Sequence, residues 1–260
     1  AHNGNLTNAA ELREELERKG AIFHTTNDSE IICYIIIQER LKTSSIEKAI
    51  ENAMNRIEGA YSLVVMSPEK LIAVRDKKGF RPLVMGKDKD GRIVFASETC
   101  AFAAVGVDYV RDIDAGEIVV IDHDGVEHSI RTHCKEKPHM CVFEYVYFAR
   151  SDSILQHQPV HEARRNAGRI LAKEHPVDAD VVIGVPDSGL DAAQGYAEES
   201  GIPYGMGFIK NRYIARTFIQ PTQGQRENAV NMKLHVVSSV VKGKRVIMIP
   251  LCVERQVRVL

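Results

Sequence analysis

The sequence has little excess charge, few cysteines and no long apolar run, and each shortage argues against a class of protein. Its 34 basic and 35 acidic residues give a net charge of -1, so we expect neither nucleic acid nor an anionic membrane as a partner. No apolar run approaches the roughly 20 residues of a membrane-spanning helix, and the first residues do not resemble a signal peptide. The five cysteines are odd in number and irregularly spaced, which argues against a disulfide framework and predicts a cytoplasmic, reducing location.

The first half of the chain combines helical and strand patterns. Apolar spacing predicts helices at 8–19 and 45–57, and the ambiguous apolar run at 31–41 is interpreted as a buried helix rather than a strand. Short β-branched runs predict strands at 61–66, 71–74, 93–96 and 117–121. The Asp124-Gly125 pair then predicts a hairpin turn. Helices followed by a meander of strands predict an antiparallel α+β layer structure.

The pattern changes near residue 150, where strands and helices begin to alternate. A helix at 160–171 precedes a buried strand at 180–186, a helix at 190–200 and a second buried strand at 244–249. This alternation predicts a parallel sheet and therefore an α/β second domain. We expect a first domain at 1–150 and a second at 151–260. Ligands bind at the carboxyl ends of such strands, so 185–189 and the segment after Ile249 are candidate site segments.

The opening residues, His2-Asn3-Gly4-Asn5, form the first candidate site. An Asn-Gly pair is typical of a tight turn with positive φ. An Asn side-chain amide beside an exposed Gly N–H also offers two converging donors, as an oxyanion hole requires. From this motif alone an ordinary turn is the simpler interpretation.

Three further motifs follow in order: Thr25-Thr-Asn-Asp-Ser-Glu30, Arg75-Asp-Lys-Lys-Gly-Phe-Arg-Pro-Leu83 and Ala96-Ser-Glu-Thr-Cys-Ala-Phe102. With the opening motif they resemble the glutaminase domain of the class II amidotransferases. The resemblance implies an N-terminal-nucleophile hydrolase-like fold with α/β/β/α layers. It also implies that Asn3 and Gly4 form the oxyanion hole and that Asp28 holds the α-amino group of glutamine. A helix N-cap is the alternative role of Asp28.

That family uses an N-terminal Cys as nucleophile, with its own α-amino group as base. This chain begins with Ala1, and its cysteines are internal. We therefore expect the family's N-terminal Cys region to be missing from this copy and the glutaminase domain to be partial.

The second half carries Gly184-Val-Pro-Asp-Ser188, a polar run from Lys210 to Pro221 and the pair Gln225-Arg226. Together with the first half, these motifs resemble the amidophosphoribosyltransferase family. The resemblance implies a type I phosphoribosyltransferase domain, also partial. It implies an enzyme, a pentosyltransferase with glutamine amidotransferase activity, that makes 5-phosphoribosylamine for purine synthesis from glutamine and phosphoribosyl diphosphate. Two alternatives remain: a non-catalytic glutamine- or nucleotide-binding regulatory module, and another class II amidotransferase with a different acceptor.

The resemblance also implies residues and cofactors in the second half. Basic side chains are expected at the phosphoribosyl site or in its closing loop, namely Lys210, Arg212, Arg216 and Arg226. Ser188 is expected near Mg²⁺, and Cys141 corresponds to one ligand of a [4Fe-4S] cluster that this fragment is not expected to bind. Purine nucleotides are expected as feedback inhibitors, and the complete enzyme as a homo-oligomer.

The sequence departs from the family after Ile249, where paired aspartates and Ser-Ile-Val-Arg-Gly-Thr are expected. One coding of that motif, shifted by one base, gives Pro-Leu-Cys-Val-Glu-Arg, which matches residues 250–255. We therefore expect a frameshift after Ile249 and a chain that is inactive by itself in both half-reactions.

Overall fold

The computed structural model describes residues 1–213, 222, 224, 228, 230 and 232–250. The chain divides into two compact units, Ala1–Val142 and Phe143–Leu260. Two of the predicted site residues, Arg216 and Arg226, and the segment 251–260 that carries the expected frameshift lie outside the described residues. Within the described part of the chain, no helix is long and apolar enough to cross a membrane.

The first unit begins with a strand and three helices and continues largely as a meander of strands. Its elements are β1 (His2–Leu6), α1 (Ala9–Arg18), α2 (Asp28–Arg40), α3 (Ile46–Ala53), β2 (Gly59–Met66), β3 (Leu71–Arg75), β4 (Val84–Lys87), β5 (Ile93–Ala96), α4 (Thr99–Val105), β6 (Asp108–Asp112), β7 (Ile118–Ile121) and β8 (Glu127–Ile130).

These elements form the four layers expected from the resemblance. Helices α1–α3 pack on one face of a five-stranded sheet with the order β1-β2-β3-β7-β8. The other face packs against a three-stranded sheet, β5-β4-β6, through side chains such as Ala73, Met85 and Val119. Helix α4 lies beyond the second sheet, where the Phe102 ring lies against Gly86. The first unit therefore has the α/β/β/α arrangement of N-terminal-nucleophile hydrolases.

The predicted helices of the first unit are confirmed, including the ambiguous one. In α2 the residues Ile31, Ile32, Ile35 and Ile36 are buried, and this helical spacing turns one apolar face toward the sheet. Asp124-Gly125 connects the antiparallel pair β7–β8, as predicted. The β-branched run at 31–41 forms a helix because its apolar residues pack on the sheet as one face, and this packing outweighs local strand preference.

The turn predicted at the start of the chain is wrong. His2–Leu6 forms β1, an edge strand that pairs antiparallel with β2 from His2 opposite Leu63 to Leu6 opposite Gly59. Gly4 does have a positive φ, 148°, but within a strand rather than in a turn. Pairing with β2 supplies the backbone hydrogen bonds that a turn would have made locally.

The second unit contains a parallel strand pair and two packed helices. Its elements are a single π-helical turn (Glu144–Phe148), β9 (Ile154–Leu155), β10 (Gln158–Pro159), α5 (Val160–Glu174), β11 (Val181–Gly184), α6 (Gly189–Ser200), β12 (Phe208–Lys210), β13 (Leu234–Val236), a short helix (Ser238–Val241) and β14 (Val246–Ile249). Strands β11 and β14 are parallel neighbours, with Val181 opposite Val246 and Gly184 opposite Ile249. The parallel pair predicted from the two apolar runs is confirmed.

Helices α5 and α6 approach closely because each presents a glycine to the other. A Cβ atom at Gly168 would lie 1.9 Å from the carbonyl oxygen of Ala192, and one at Gly195 would lie 1.9 Å from that of Arg165. Neither contact leaves room for a side chain. The close approach holds α6, and with it the loop that precedes α6, against the rest of the second unit.

Candidate functional site

The outer edge of β1 presents backbone N–H groups that do not pair with β2. Ala1 and Val64 exchange backbone hydrogen bonds of 2.8 and 3.0 Å. Because successive N–H groups of an antiparallel strand point to opposite sides, those of His2, Gly4 and Leu6 point away from β2. The Leu6 N–H confirms this direction, since it donates to Oδ2 of Asp28 at 2.8 Å.

Gly4 is required by the backbone, independently of any catalytic role. A Cβ atom there would lie 2.0 Å from the carbonyl oxygen of Ala60 on β2, and the φ of 148° disfavours any other residue. The close approach of the two strands and the outward direction of the Gly4 N–H are therefore parts of one geometry. This geometry is compatible with a purely structural role for Gly4 and also with a role for its N–H as an oxyanion-hole donor.

The loop before α2 fixes Asp28 at the first residue of that helix. The Asn27 side chain is the N-cap and accepts a hydrogen bond from Ser29 N at 2.9 Å. The Glu30 carboxylate reaches back and accepts from the backbone N–H groups of His24 and Thr25, both at 2.9 Å. The alternative that Asp28 is the N-cap is therefore wrong. Its carboxylate lies in the first turn, where the helix dipole favours negative charge.

Asp28 and the Gly4 N–H lie along the same edge of β1. Asp28 is anchored at Leu6, and two residues of a strand span about 7 Å. An extended glutamine separates its α-amino nitrogen from its carboxamide oxygen by roughly 6 Å, from standard bond lengths. The edge therefore presents a carboxylate and an N–H donor at about the spacing of the two ends of glutamine. The Asn3 side chain is exposed and, by strand alternation, lies on the face of β1 opposite His2 and Leu6.

His2 lies beside Asp28, although no role was predicted for it from the sequence. Its Nδ1 atom lies 3.0 Å from Ser29 Oγ and 3.4 Å from Asp28 Oδ1, and its side chain is 6% exposed. Burial lowers the pKa of the imidazole below its usual value, although the Asp28 carboxylate opposes this shift. The available signal was strand alternation, which places the side chains of His2 and Leu6 on one face of β1.

The motif from Arg75 to Leu83 forms a loop that hydrogen bonds hold to the rest of the unit. The Arg75 guanidinium donates to three backbone carbonyls, including that of Ile113 at 2.6 Å. The Asp76 carboxylate accepts from the backbone N–H groups of Tyr61, Lys78 and Phe80. Burial raises the pKa of Asp76, and these N–H donors oppose that effect. The motif therefore holds its loop on the central sheet.

In the second unit, the loop at the carboxyl end of β11 lies against the end of β14. Val185 N donates to Ile249 O at 3.0 Å, and a Cβ atom at Gly189 would lie 2.4 Å from that same oxygen. The loop 185–189 and the start of α6 therefore lie at the carboxyl ends of both parallel strands. This is the place where open α/β sheets bind ligands.

Polar side chains of this loop are available to a ligand. Ser188 directly precedes α6, and its side chain makes no capping hydrogen bond. Lys210, at the end of β12, forms an ion pair with Asp187, a residue for which no role was predicted from the sequence. Arg212 is exposed in the turn that follows. The structure therefore brings Lys210 to the loop that contains Ser188.

Cys141 lies in the first unit, where its backbone N–H donates to Phe80 O at 3.0 Å. An iron–sulfur cluster needs four ligands. Among the residues that the structure describes, no three His, Cys, Asp or Glu side chains are grouped so that they could share a metal ion. The described residues therefore do not fit a [4Fe-4S] cluster, and around Ser188 they include no group of three such side chains.

Comparisons with known proteins show similarity over nearly the whole chain. A sequence profile of the glutamine amidotransferase domain matches residues 1–104. An amidophosphoribosyltransferase from Methanocaldococcus jannaschii is 48% identical over 96% of this chain and 56% of its own length. One from Staphylococcus aureus is 47% identical over 95% of this chain and 50% of its own length.

A solved structure agrees with the fold. Glutamine phosphoribosylpyrophosphate amidotransferase from Bacillus subtilis, complexed with ADP and GMP, has a TM-score of 0.84 and 46% sequence identity. The match covers 95% of this chain and 54% of that structure. The chain thus spans about half the length of the relatives that it matches. At this identity and coverage, the chain is similar over nearly its whole length to amidophosphoribosyltransferases, and residues 1–104 match their glutamine amidotransferase domain.

Proposed function

We propose that this chain contributes the glutamine site and part of the phosphoribosyl site of an amidophosphoribosyltransferase. That enzyme would release ammonia from glutamine and join it to C1 of phosphoribosyl diphosphate, displacing diphosphate and giving 5-phosphoribosylamine for purine synthesis. The observation that carries the proposal is the β1 edge, where the Asp28 carboxylate accepts the Leu6 N–H and the Gly4 N–H, two residues earlier, points away from β2. The first domain, 1–150, would bind glutamine, and the second, 151–260, phosphoribosyl diphosphate.

Each residue of the glutamine site has a chemical role in this proposal. The Asp28 carboxylate accepts hydrogen bonds from the α-ammonium group of glutamine and so fixes the amino-acid end. The Gly4 N–H and the Asn3 amide donate to the carboxamide oxygen, where negative charge develops after nucleophilic attack. A donor on an edge strand is held by the β1–β2 ladder and needs little rearrangement to reach that oxygen.

Glutamine binding tests the role of Asp28 through a paired comparison. L-Glutamine and 4-carbamoylbutanoate, which lacks the α-amino group, are titrated calorimetrically into the native chain and into Asp28→Asn. A hydrogen bond to a charged group contributes about 1.5–3 kcal/mol, or about 10- to 150-fold in Kd. We expect Asp28→Asn to weaken the binding of L-glutamine by that factor and to leave the binding of 4-carbamoylbutanoate unchanged.

The exposed turn variant Asp124→Asn, which removes the same formal charge, is the control and should change neither affinity. Equal weakening of both ligands by Asp28→Asn would refute the assignment of the α-amino group to Asp28.

The loop 185–189 supports the second half of the proposal. Lys210 would exchange its ion pair with Asp187 for the diphosphate, together with Arg212, Arg216 and Arg226. Ser188 would lie near Mg²⁺, which commonly takes substrate phosphates and waters as ligands and only one or two carboxylates. Most oxygen ligands of the metal would then come from the diphosphate and water.

Binding of phosphoribosyl diphosphate with Mg²⁺ tests this half. Lys210→Gln should weaken binding about tenfold, whereas Lys242→Gln, in the turn before β14, should not. Equal weakening of binding by the two lysine variants would show that Lys210 is not part of the site.

We also propose that the complete enzyme is a cytoplasmic homo-oligomer that purine nucleotides inhibit.

A further inference from the structure

The Asp28 carboxylate is held by the backbone of β1 at one oxygen and faces the imidazole of His2 at the other. Oδ2 accepts the Leu6 N–H at 2.8 Å, and Oδ1 lies 3.4 Å from Nδ1 of His2. The side chain of Asp28 is 14% exposed and that of His2 is 6% exposed. Within the described ranges, His2 is the ion-pair partner recorded for Asp28. The imidazole therefore lies beside the carboxylate oxygen that the strand does not hold.

A carboxylate held at one oxygen can still rotate about its final side-chain bond, because that torsion is broad. A second donor at Oδ1 removes this freedom before a ligand arrives. Ordering a side chain in advance spares the ligand that entropy cost on binding. His2 is placed to be the second donor, provided that its proton resides on Nδ1.

The two neutral tautomers of His2 differ in what they offer to Asp28. With the proton on Nδ1, the ring donates toward Oδ1 and the Ser29 hydroxyl. With the proton on Nε2, the Nδ1 lone pair faces the carboxylate, which is repulsive. Nε2 is buried and makes no hydrogen bond of acceptable geometry within the described part of the chain, so a proton there would be buried without an acceptor. The surroundings of the ring therefore favour the Nδ1–H tautomer.

We propose that His2 is a positioning residue of the glutamine site, which in its Nδ1–H tautomer fixes the Asp28 carboxylate in the orientation that receives the α-ammonium group. The identity of the ligand rests on the function proposed above, whereas the coupling between His2 and Asp28 does not. His2 acts through Asp28 and does not touch the ligand.

The tautomer is measured directly by long-range ¹H–¹⁵N correlation of the histidine rings in the chain without ligand. The His2 signals are assigned by their absence from His2→Asn. We expect protonated Nδ1 in the native chain and in Ser29→Ala, and a shift of the proton to Nε2 in Asp28→Ala. Protonated Nε2 in the native chain would overturn the proposal. An unchanged tautomer of His2 in Asp28→Ala would also overturn it.

Two substitutions separate positioning from simple filling of the core. An Asn amide nitrogen can occupy the place of Nδ1, whereas that of Gln reaches the place of Nε2. We expect His2→Asn to bind L-glutamine within about threefold of the native chain and His2→Gln about tenfold more weakly. 4-Carbamoylbutanoate should bind equally to both variants, since Asp28 has no ammonium group to receive.

Positioning through Nδ1 would be refuted if His2→Gln weakened the binding of both ligands. It would also be refuted if both variants weakened the binding of L-glutamine equally. Thermal unfolding of each variant shows whether it is folded at the temperature of the titration. Failure of the native chain to bind L-glutamine would refute the proposed function, while the ring spectra would still decide whether Asp28 sets the state of His2.

Discussion

Gly4→Ala is expected to destabilise the first unit strongly, because the new Cβ atom has no space. It would lie 2.0 Å from the carbonyl oxygen of Ala60 and 2.9 Å from Tyr61 Cα. Real Cβ atoms keep at least 3.0 Å from such neighbours, so β1 must move by about 1 Å from β2. Overpacking of this kind costs about 1–3 kcal/mol, and a strained φ costs about 1–3 kcal/mol more. We expect a loss of about 2–6 kcal/mol in the free energy of unfolding.

Gly125→Ala is the matched control, since it lies in the same unit and separates the two costs. Gly125 has a φ of 77°, and a Cβ atom there would meet nothing within 4 Å. This variant should lose about 1 kcal/mol from backbone strain alone. The free energy of unfolding of each variant is measured in urea. Unfolding is monitored by hydrogen exchange at the backbone amides of β2 and β3, which report on the first unit. Equal losses in the two variants, within about 0.5 kcal/mol, would refute the close approach of β1 to β2.

Three further predictions concern buried groups. Gly168→Ala should lower the free energy of unfolding of the second unit by about 1–3 kcal/mol, measured by thermal unfolding, because its Cβ would overlap a carbonyl of α6. Asp191→Asn should cost about 2 kcal/mol in the same assay, since this buried carboxylate accepts hydrogen bonds from a serine at 2.6 Å and a histidine at 3.0 Å. Burial raises the pKa of Glu117, but hydrogen bonds from Arg111 and a serine outweigh it, so the folded pKa is below its usual value. Its stabilisation is therefore full at neutral pH and lost as pH falls through the folded pKa, and urea unfolding should show Glu117→Gln and the native chain converging in acid.

Local patterns in the sequence determined much of the fold. Isoleucines at helical spacing in α2, the Asp124-Gly125 turn and the two apolar runs that form β11 and β14 specify their elements by themselves. Periodicity is a short-range property, and in these segments it agrees with the burial that the fold imposes. The order of the motifs likewise indicated the family and the layer architecture.

Tertiary structure decided the candidate site. His2–Leu6 contains no β-branched residue and was interpreted as a turn, yet pairing with β2 makes it a strand. That pairing sets which N–H groups point outward, and only the packing of α2 on the sheet brings Asp28 to Leu6, 22 residues away in sequence. The role of His2 was missed for the same reason, because its neighbour Asp28 belongs to another element. The sequence determines the hydrophobic periodicity of each segment. Which strand edge lies next to which helix end depends on how the layers pack.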